Sequence, residues 1–320
     1  MGKVGEAVGG ESQMIQTSKL WKKFGRLEAL RDLSFSVPAR SAFALIGANG
    51  AGKTTAIKVL MNILEPSRGS ATVLGVDSRK ISFHEHRQIG YVSEDQDMPA
   101  RLTVADYIAY LRPFYPRWDR QLEASMLRQL RLPLEHKIGD LSHGMRLKMA
   151  LLCALPYRPK LLILDEPFSG LDPLVRDEFM EGLLLQAGEM TILISSQELG
   201  EIDGLATHVG FLEEGNLLFQ ESMSDLTARF REVYVTLENG QFEPGEFPEL
   251  PKHWLHVRSE GNVLRFVDSQ FSQEALGERI RSVVKGVRIV DTQPMALRSI
   301  FTTLARAARD GAAQTKGGTR

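Results

Sequence analysis

Ala42-Phe43-Ala44-Leu45-Ile46-Gly47-Ala48-Asn49-Gly50-Ala51-Gly52-Lys53-Thr54-Thr55 is the stretch that decides the fold. Five apolar residues in a row, Ala42–Ile46, predict a buried strand. Gly47–Thr54 matches G-x-x-x-x-G-K-[ST], and the run Thr55–Asn62 that follows has a helical pattern. Strand, glycine loop and helix in that order make a phosphate cradle. The glycines let the backbone wrap an anion without Cβ collisions, so successive N–H groups point at it, and the helix N-terminus adds partial positive charge. The candidate nucleotide-binding set is therefore Gly47, Asn49, Gly50, Gly52, Lys53, Thr54 and Thr55. Lys53 is expected to reach the β- and γ-phosphates, and the Thr54 hydroxyl to ligate Mg²⁺.

Farther along, the apolar run Leu161–Leu164 ends in Asp165 and Glu166. A carboxylate at the end of a buried strand beside a phosphate loop can hold a metal, which suits Asp165. Glu166, one residue on, points elsewhere and is the candidate for orienting and deprotonating an attacking water. Further strands are predicted at Ile89–Val92, Thr191–Ser195 and His208–Leu212, alternating with helical patterns. That alternation marks an α/β fold with a largely buried sheet. Phe35–Val37 and Ala71–Leu74 read as part of a smaller antiparallel layer.

The texture changes after Met223. Glu232–Leu237 alternates like a strand and reaches a turn signal, Asn239-Gly240, followed by Pro244, Pro248 and Pro251. Strands are expected at Trp254–Arg258, Val263–Val267 and Val287–Val290, with helices at Gln273–Val284 and Pro294–Ala308. In the last helix Leu297, Ile300, Phe301 and Leu304 share one face, while Arg298, Arg306 and Arg309 lie elsewhere; the reading is a helix packed on its own small sheet. Residues 1–13 and 311–320 read as a flexible leader and tail.

The 320 residues suggest about two domains, 14–223 and 224–310. Lys plus Arg number 39 against 40 Asp plus Glu, a net charge of −1, which offers no field for gripping nucleic acid. The single cysteine, Cys153, excludes an internal disulfide and sits in an apolar stretch as a small core residue. No run approaches the ~20 apolar residues of a membrane span, and Met1–Gln13 has no apolar signal core. Glu6 stands where a myristoylation motif wants Ser or Thr. Any membrane role is expected to come through a partner.

Between the glycine loop and the acids lies Leu141-Ser142-His143-Gly144-Met145, directly before a helical run Arg146–Leu155; after the acids comes Ser169-Gly170-Leu171-Asp172-Pro173. This ordered series resembles the ATP-binding subunit of ABC transporters, especially the bacterial single-cassette subunits of ABC-2-type exporters, over about Met14–Met223. The resemblance implies a P-loop ABC ATPase cassette: a mixed sheet with flanking helices, an antiparallel β layer and a helical subdomain. A small C-terminal α+β accessory domain would follow. It implies ATP and Mg²⁺ as cofactors, and a head-to-tail pair formed with a second copy or a homologous ATPase subunit. Each site would then join one subunit's Lys53 loop to the other's Ser142 and Gly144, with Asp172 carrying contact between sites. Phe24, in Lys23-Phe24-Gly25, sits where the family stacks an aromatic on adenine, with Trp21 as the substitute. Glu94 falls at the family's Q-loop as a further metal ligand. The implied partner is an integral-membrane permease that holds the chain at the cytoplasmic face of the bacterial membrane. Asp95–Tyr110 would be the surface that receives it, with Met98, Pro99, Leu102, Val104 and Tyr107 as apolar contacts.

Three residues depart from the family pattern. The signature reads Leu-Ser-His-Gly-Met where the family has Leu-Ser-Gly-Gly-Gln, Glu94 replaces a Gln, and Gln197 stands in place of the switch histidine. Gln197 can donate an amide hydrogen bond to a γ-phosphate but cannot carry charge or relay a proton. The expectation is slow but real hydrolysis, with catalytic roles for Glu166, Gln197 and Lys53. The competing reading is a soluble or regulatory ABC ATPase with weak hydrolysis acting on a non-transport partner.

Overall fold

The apolar runs around the glycine loop assemble one six-stranded sheet in the order Asn216–Ser222, His208–Glu213, Ala42–Ile46, Thr191–Ser196, Leu161–Asp165, Ile89–Ser93. It is seen in a computed structural model that describes residues 12–94, 96–184, 188, 190–202, 204–238, 250–304 and 306. Ala42–Ile46 is buried at every position and pairs in parallel with the strands on both sides. Leu161–Asp165 likewise lies parallel to both of its neighbours. Parallel pairing puts the C-terminal ends of these strands along one edge, the place where α/β sheets bind ligands. The residues that follow those ends are Gly47, Glu166, Gln197 and Glu94.

An antiparallel layer follows the order Leu27–Leu33, Gln13–Phe24, Arg68–Val73, Val76–Asp77, with Ser36–Pro38 also paired to Gln13–Phe24. The strand starting at Gln13 shortens the expected leader. Ile15, Leu20, Leu30, Leu33 and Val73 from this layer share a core with Phe43 and Leu45 and with Ile57 and Leu60 of helix Lys53–Leu60. That packing ties the cradle's helix to both sheets.

Four helices, Val104–Leu111, Arg120–Leu130, His143–Ala154 and Pro173–Leu184, form the helical part. A Lys148–Glu178 ion pair ties the last two together. Glu123 accepts from Arg112 Nε at 2.9 Å and Trp118 Nε1 at 2.6 Å. Cys153 is buried in the third of these helices, and burial pushes its thiol up. Val104, expected as a partner contact, is instead fully buried: its position at the start of helix Val104–Leu111 points it into the core. Asp95 lies outside the described residues.

The chain packs as two units that divide between Gln220 and Glu221. In the second, four antiparallel strands run in the order Trp254–Glu260, Val263–Asp268, Arg231–Leu237, Val287–Pro294. One face buries Val233, Val235, Leu264 and Phe266 with Leu276 and Ile280 of helix Gln273–Val283. Trp254 stacks on Phe266 with ring centroids 4.1 Å apart. Residues 297–304 form the last helix, burying Ile300 and Phe301. The Asn239-Gly240 turn, Pro244, Pro248, Arg309 and the 311–320 tail lie outside the described residues. Among the described residues no helix is long and apolar enough to cross a membrane.

Candidate functional site

Lys53 opens the helix that follows the glycine loop, yet its side chain turns back into that loop. Its ammonium donates to the Gly47 and Ala48 carbonyls and pairs with Glu166 Oε1 at 2.8 Å. The lysine is 4% exposed, so this cation is held by backbone oxygens and one carboxylate, with little water. The next residue, Thr54, donates from Oγ1 to Asp165 Oδ1 at 3.1 Å, so the two residues expected at a metal converge. Burial raises the Asp165 carboxyl above its ordinary value, while hydrogen bonds from Ser195 and Thr54 act in the opposite direction. A buried carboxylate with only hydroxyl donors, next to a second hydroxyl, is the oxygen-rich arrangement a hard divalent cation takes.

Ser195, which the sequence reading passed over, organises both acids. Its Oγ donates to Asp165 Oδ1 at 2.7 Å and accepts the Glu166 N–H at 2.9 Å. Glu166 itself has φ 51°, in the left-handed region, where a glutamate is uncommon. The chain turns there as it leaves strand Leu161–Asp165, and the Glu166 carboxylate pairs with Lys53 while Asp165 meets Thr54. The Ser196 carbonyl accepts from Gly47 N–H at 3.2 Å, fixing the start of the loop against the neighbouring strand. The Ser196 hydroxyl donates to Glu201, whose carboxyl is raised by burial. A run of two serines closing a buried strand was the signal available.

A cavity of about 570 Å³ opens beside the loop, within the size range of ligand sites. Asn49, Gly50, Gly52, Lys53, Thr54, Thr55 and Glu166 line it, with Phe24 on its wall. Phe24 is 45% exposed and carries the Lys22 ammonium 5.1 Å from its ring centroid; Trp21 does not line the cavity. The lining also takes in Glu28, Arg31 and Glu214, which no motif marks.

The other expected residues stand outside this cavity. Glu94 donates its N–H to the Asp165 carbonyl at 3.3 Å, but its side chain is exposed and no hydrogen bond or ion pair joins its carboxylate to Thr54 or Asp165. Gln197 is exposed just past the end of Thr191–Ser196. Ser142 is the N-cap of helix His143–Ala154, accepting from Met145 N–H at 3.2 Å. The helix therefore starts three residues earlier than predicted, because the Ser142 cap satisfies a first-turn donor and draws His143-Gly144-Met145 into that turn. His143 contacts the Ser169 carbonyl through Nε2 at 3.2 Å, so this departure from the family pattern links the signature turn to the loop before Asp172. A Cβ on Gly144 would lie 2.8 Å from Val175 Cγ1, which gives this glycine a packing requirement of its own. Asp172 caps helix Pro173–Leu184 by accepting from Val175 N–H at 3.0 Å.

The sequence profile of the family described as "ABC transporter" matches residues 30–169. The bacitracin transport ATP-binding protein of Enterococcus faecalis is 30% identical over 286 residues, covering 88% of this chain and 92% of its own length. An uncharacterized ABC transporter ATP-binding protein of Bacillus subtilis is 29% identical over 301 residues, covering 90% of this chain and 97% of its own. Among solved structures, an ATP-binding subunit of an ABC transporter superposes with a TM-score of 0.61 at 28% identity, over 67% of this chain and 92% of that one.

Proposed function

This chain belongs to the ABC transporter family of ATP-binding proteins, and on that premise we propose that it closes head-to-tail on a second copy around two ATP molecules, or on a homologous ATPase subunit, and so drives a separate membrane permease for export. One observation carries this reading: Lys53 and Glu166 line the cavity, whereas Ser142 and Gly144 of the same chain do not. A helix start with an exposed serine, whose hydroxyl accepts the Met145 N–H and still has its own proton to donate, suits an anion, and a second subunit can bring one to each cavity. Ser142 and Gly144 of the partner would then cover the γ-phosphate, with Asp172 between the two sites.

In the closed site Lys53 exchanges its carboxylate partner for the β- and γ-phosphates, which frees Glu166 to face the attacking water. Glu166 takes that water's proton, and Gln197 donates its amide to a γ-phosphate oxygen. Thr54 and Asp165 are the residues that would hold Mg²⁺, which would offset triphosphate charge, and Glu94 would be a further ligand only if its exposed side chain turned toward them. Phe24 offers an exposed ring for stacking on adenine. Tyr110 and Phe114, 58% and 41% exposed with ring centroids 5.3 Å apart, extend the proposed permease-facing surface beyond Met98, Pro99, Leu102 and Tyr107. The chain would sit at the cytoplasmic face of a bacterial membrane through that contact, with 224–310 as an accessory domain.

Gln197 gives the test. Losing one stabilising donor at such a site costs about 10²–10³ in rate, so a replaced donor costs less, and Gln197→His is expected to raise turnover by about tenfold. Phosphate release by the wild type, Gln197→His and Glu166→Gln chains measures it. An unchanged rate in both variants contradicts the assigned roles. Gln197 also favours a second reading, a regulatory ATPase with weak hydrolysis; stimulation of turnover by the permease separates the two.

A further inference from the structure

We propose that the C-terminal unit binds a phosphate-bearing anion in the cavity between its sheet and its last helix. This inference is independent of what the cassette does with ATP.

The cavity measures about 380 Å³, and the side chains that give it its charge are Arg258, Arg265, Arg298, Arg306 and one carboxylate, Glu232. Arg265 stands on strand Val263–Asp268, and two further elements bring the other arginines to it. Strand Trp254–Glu260 slips register between Leu255 and Arg258, with His256 at φ 53°. Such a bulge re-aims the side chains around it and is found beside binding sites. Here Trp254 and Val257 both keep contact with the core, while His256 and Arg258 line the cavity. Across the ladder Arg258 is paired directly with Arg265, a like-charge juxtaposition that destabilises a sheet unless something neutralises it. The second element is the helix 297–304, whose Arg298 and Thr302 are one turn apart, with Arg306 a further turn along. Its opposite side buries Ile300 and Phe301, so the polar face is left to the cavity.

Glu232 does not balance these charges, because it is already engaged. Its Oε1 accepts from Arg265 Nε at 2.9 Å, and its Oε2 accepts from Tyr234 OH at 2.8 Å. Among the described residues Arg258, Arg298 and Arg306 have no ion pair. Guanidinium groups do not deprotonate in proteins, so the excess positive charge persists at every working pH. Planar forks of this kind match phosphate oxygens two at a time, where a lysine cluster would act only as point charges. Ser299, beside Arg298, adds a hydroxyl donor. The volume suits a small ligand's phosphate and not a nucleic-acid strand, and the chain's net charge of −1 supplies no wider basic surface for a polymer.

The phosphate can come from a soluble ester or from a lipid headgroup, and the test has an arm for each. Inorganic pyrophosphate is titrated calorimetrically into the full chain carrying Lys53→Ala, which disables the glycine loop as a competing anion site. In parallel, the same chain is sedimented with phosphatidylglycerol vesicles. The expected result is saturable binding in one arm that weakens about tenfold or more in Arg258→Gln and again in Arg298→Gln. Both arginines are exposed and without an ion pair, so the variants keep the fold, which circular dichroism verifies. Absence of binding in both arms, or binding indifferent to both substitutions, overturns the proposal.

Discussion

Glu166→Gln is expected to lower ATP turnover by about 10²–10⁴-fold and, at the same time, to tighten nucleotide binding. The first effect follows from removing the carboxylate that lines the cavity just past strand Leu161–Asp165, beside Lys53, and can accept the water's proton. The second follows from the ion pair. Lys53 sits 2.8 Å from Glu166 Oε1 with both side chains largely buried, 4% and 15% exposed. A triphosphate that recruits Lys53 must first break this pair, and the carboxylate also repels the incoming phosphates. Glutamine keeps the shape, drops the charge and holds the lysine less tightly, so the cost of releasing it falls. Single-turnover phosphate release and ATP affinity, measured together, distinguish this from simple damage, which would weaken both. Unchanged turnover would remove Glu166 from its assigned role.

Gly52→Ala is expected to reduce ATP affinity by tenfold or more and to destabilise the first unit by about 2–4 kcal/mol. Gly52 is the residue before helix Lys53–Leu60, with φ 107° and ψ 3°. An L side chain is strained there whatever the space, and the space is also missing: a Cβ would lie 2.6 Å from the Ala29 carbonyl oxygen and 3.0 Å from Leu30 Cδ2. Both belong to strand Leu27–Leu33, which Leu30 and Leu33 anchor in the shared core, so the loop must move instead, and with it the N–H groups and Lys53. Gly50 supplies the control. It too has positive φ, 78°, but nothing lies within 4 Å of a Cβ built on it. In the nucleotide-free chain Gly50→Ala therefore carries only the backbone strain, about 1 kcal/mol. Denaturant melts of the two nucleotide-free variants measure the difference in stability, and nucleotide titration of Gly52→Ala measures its affinity; equal losses of stability would contradict the role given to the Ala29 contact.

Much of the buried sheet was legible because parallel strands covered on both faces are continuous apolar runs. Ala42–Ile46 was read to the residue, and the predicted Leu161–Leu164 ends one residue later, at Asp165. The edge layer was harder. Gln13–Phe24 and Leu27–Leu33 interleave Lys19, Lys22, Lys23, Arg31 and Asp32 with their core residues, and register shifts break the alternation that marks a half-buried strand. The glycine loop and the two acids form a local pattern, and the structure brings Lys53, Thr54, Asp165 and Glu166 together. Ser195 escaped notice because its importance lies in a contact across neighbouring strands, between residues 30 positions apart. The convergence of Arg258, Arg265, Arg298 and Arg306 is invisible for the same reason: a bulge and a helix face are needed to gather them.

Solution mass of the Glu166→Gln chain, with and without saturating Mg-ATP, bears most directly on the pairing of one chain's Lys53 loop with another's Ser142 turn. The expected result is a nucleotide-dependent rise from 35.7 kDa to twice that value, abolished when Lys53 is also changed to Ala. A mass that stays at 35.7 kDa with ATP bound, including after addition of the permease in detergent, contradicts it.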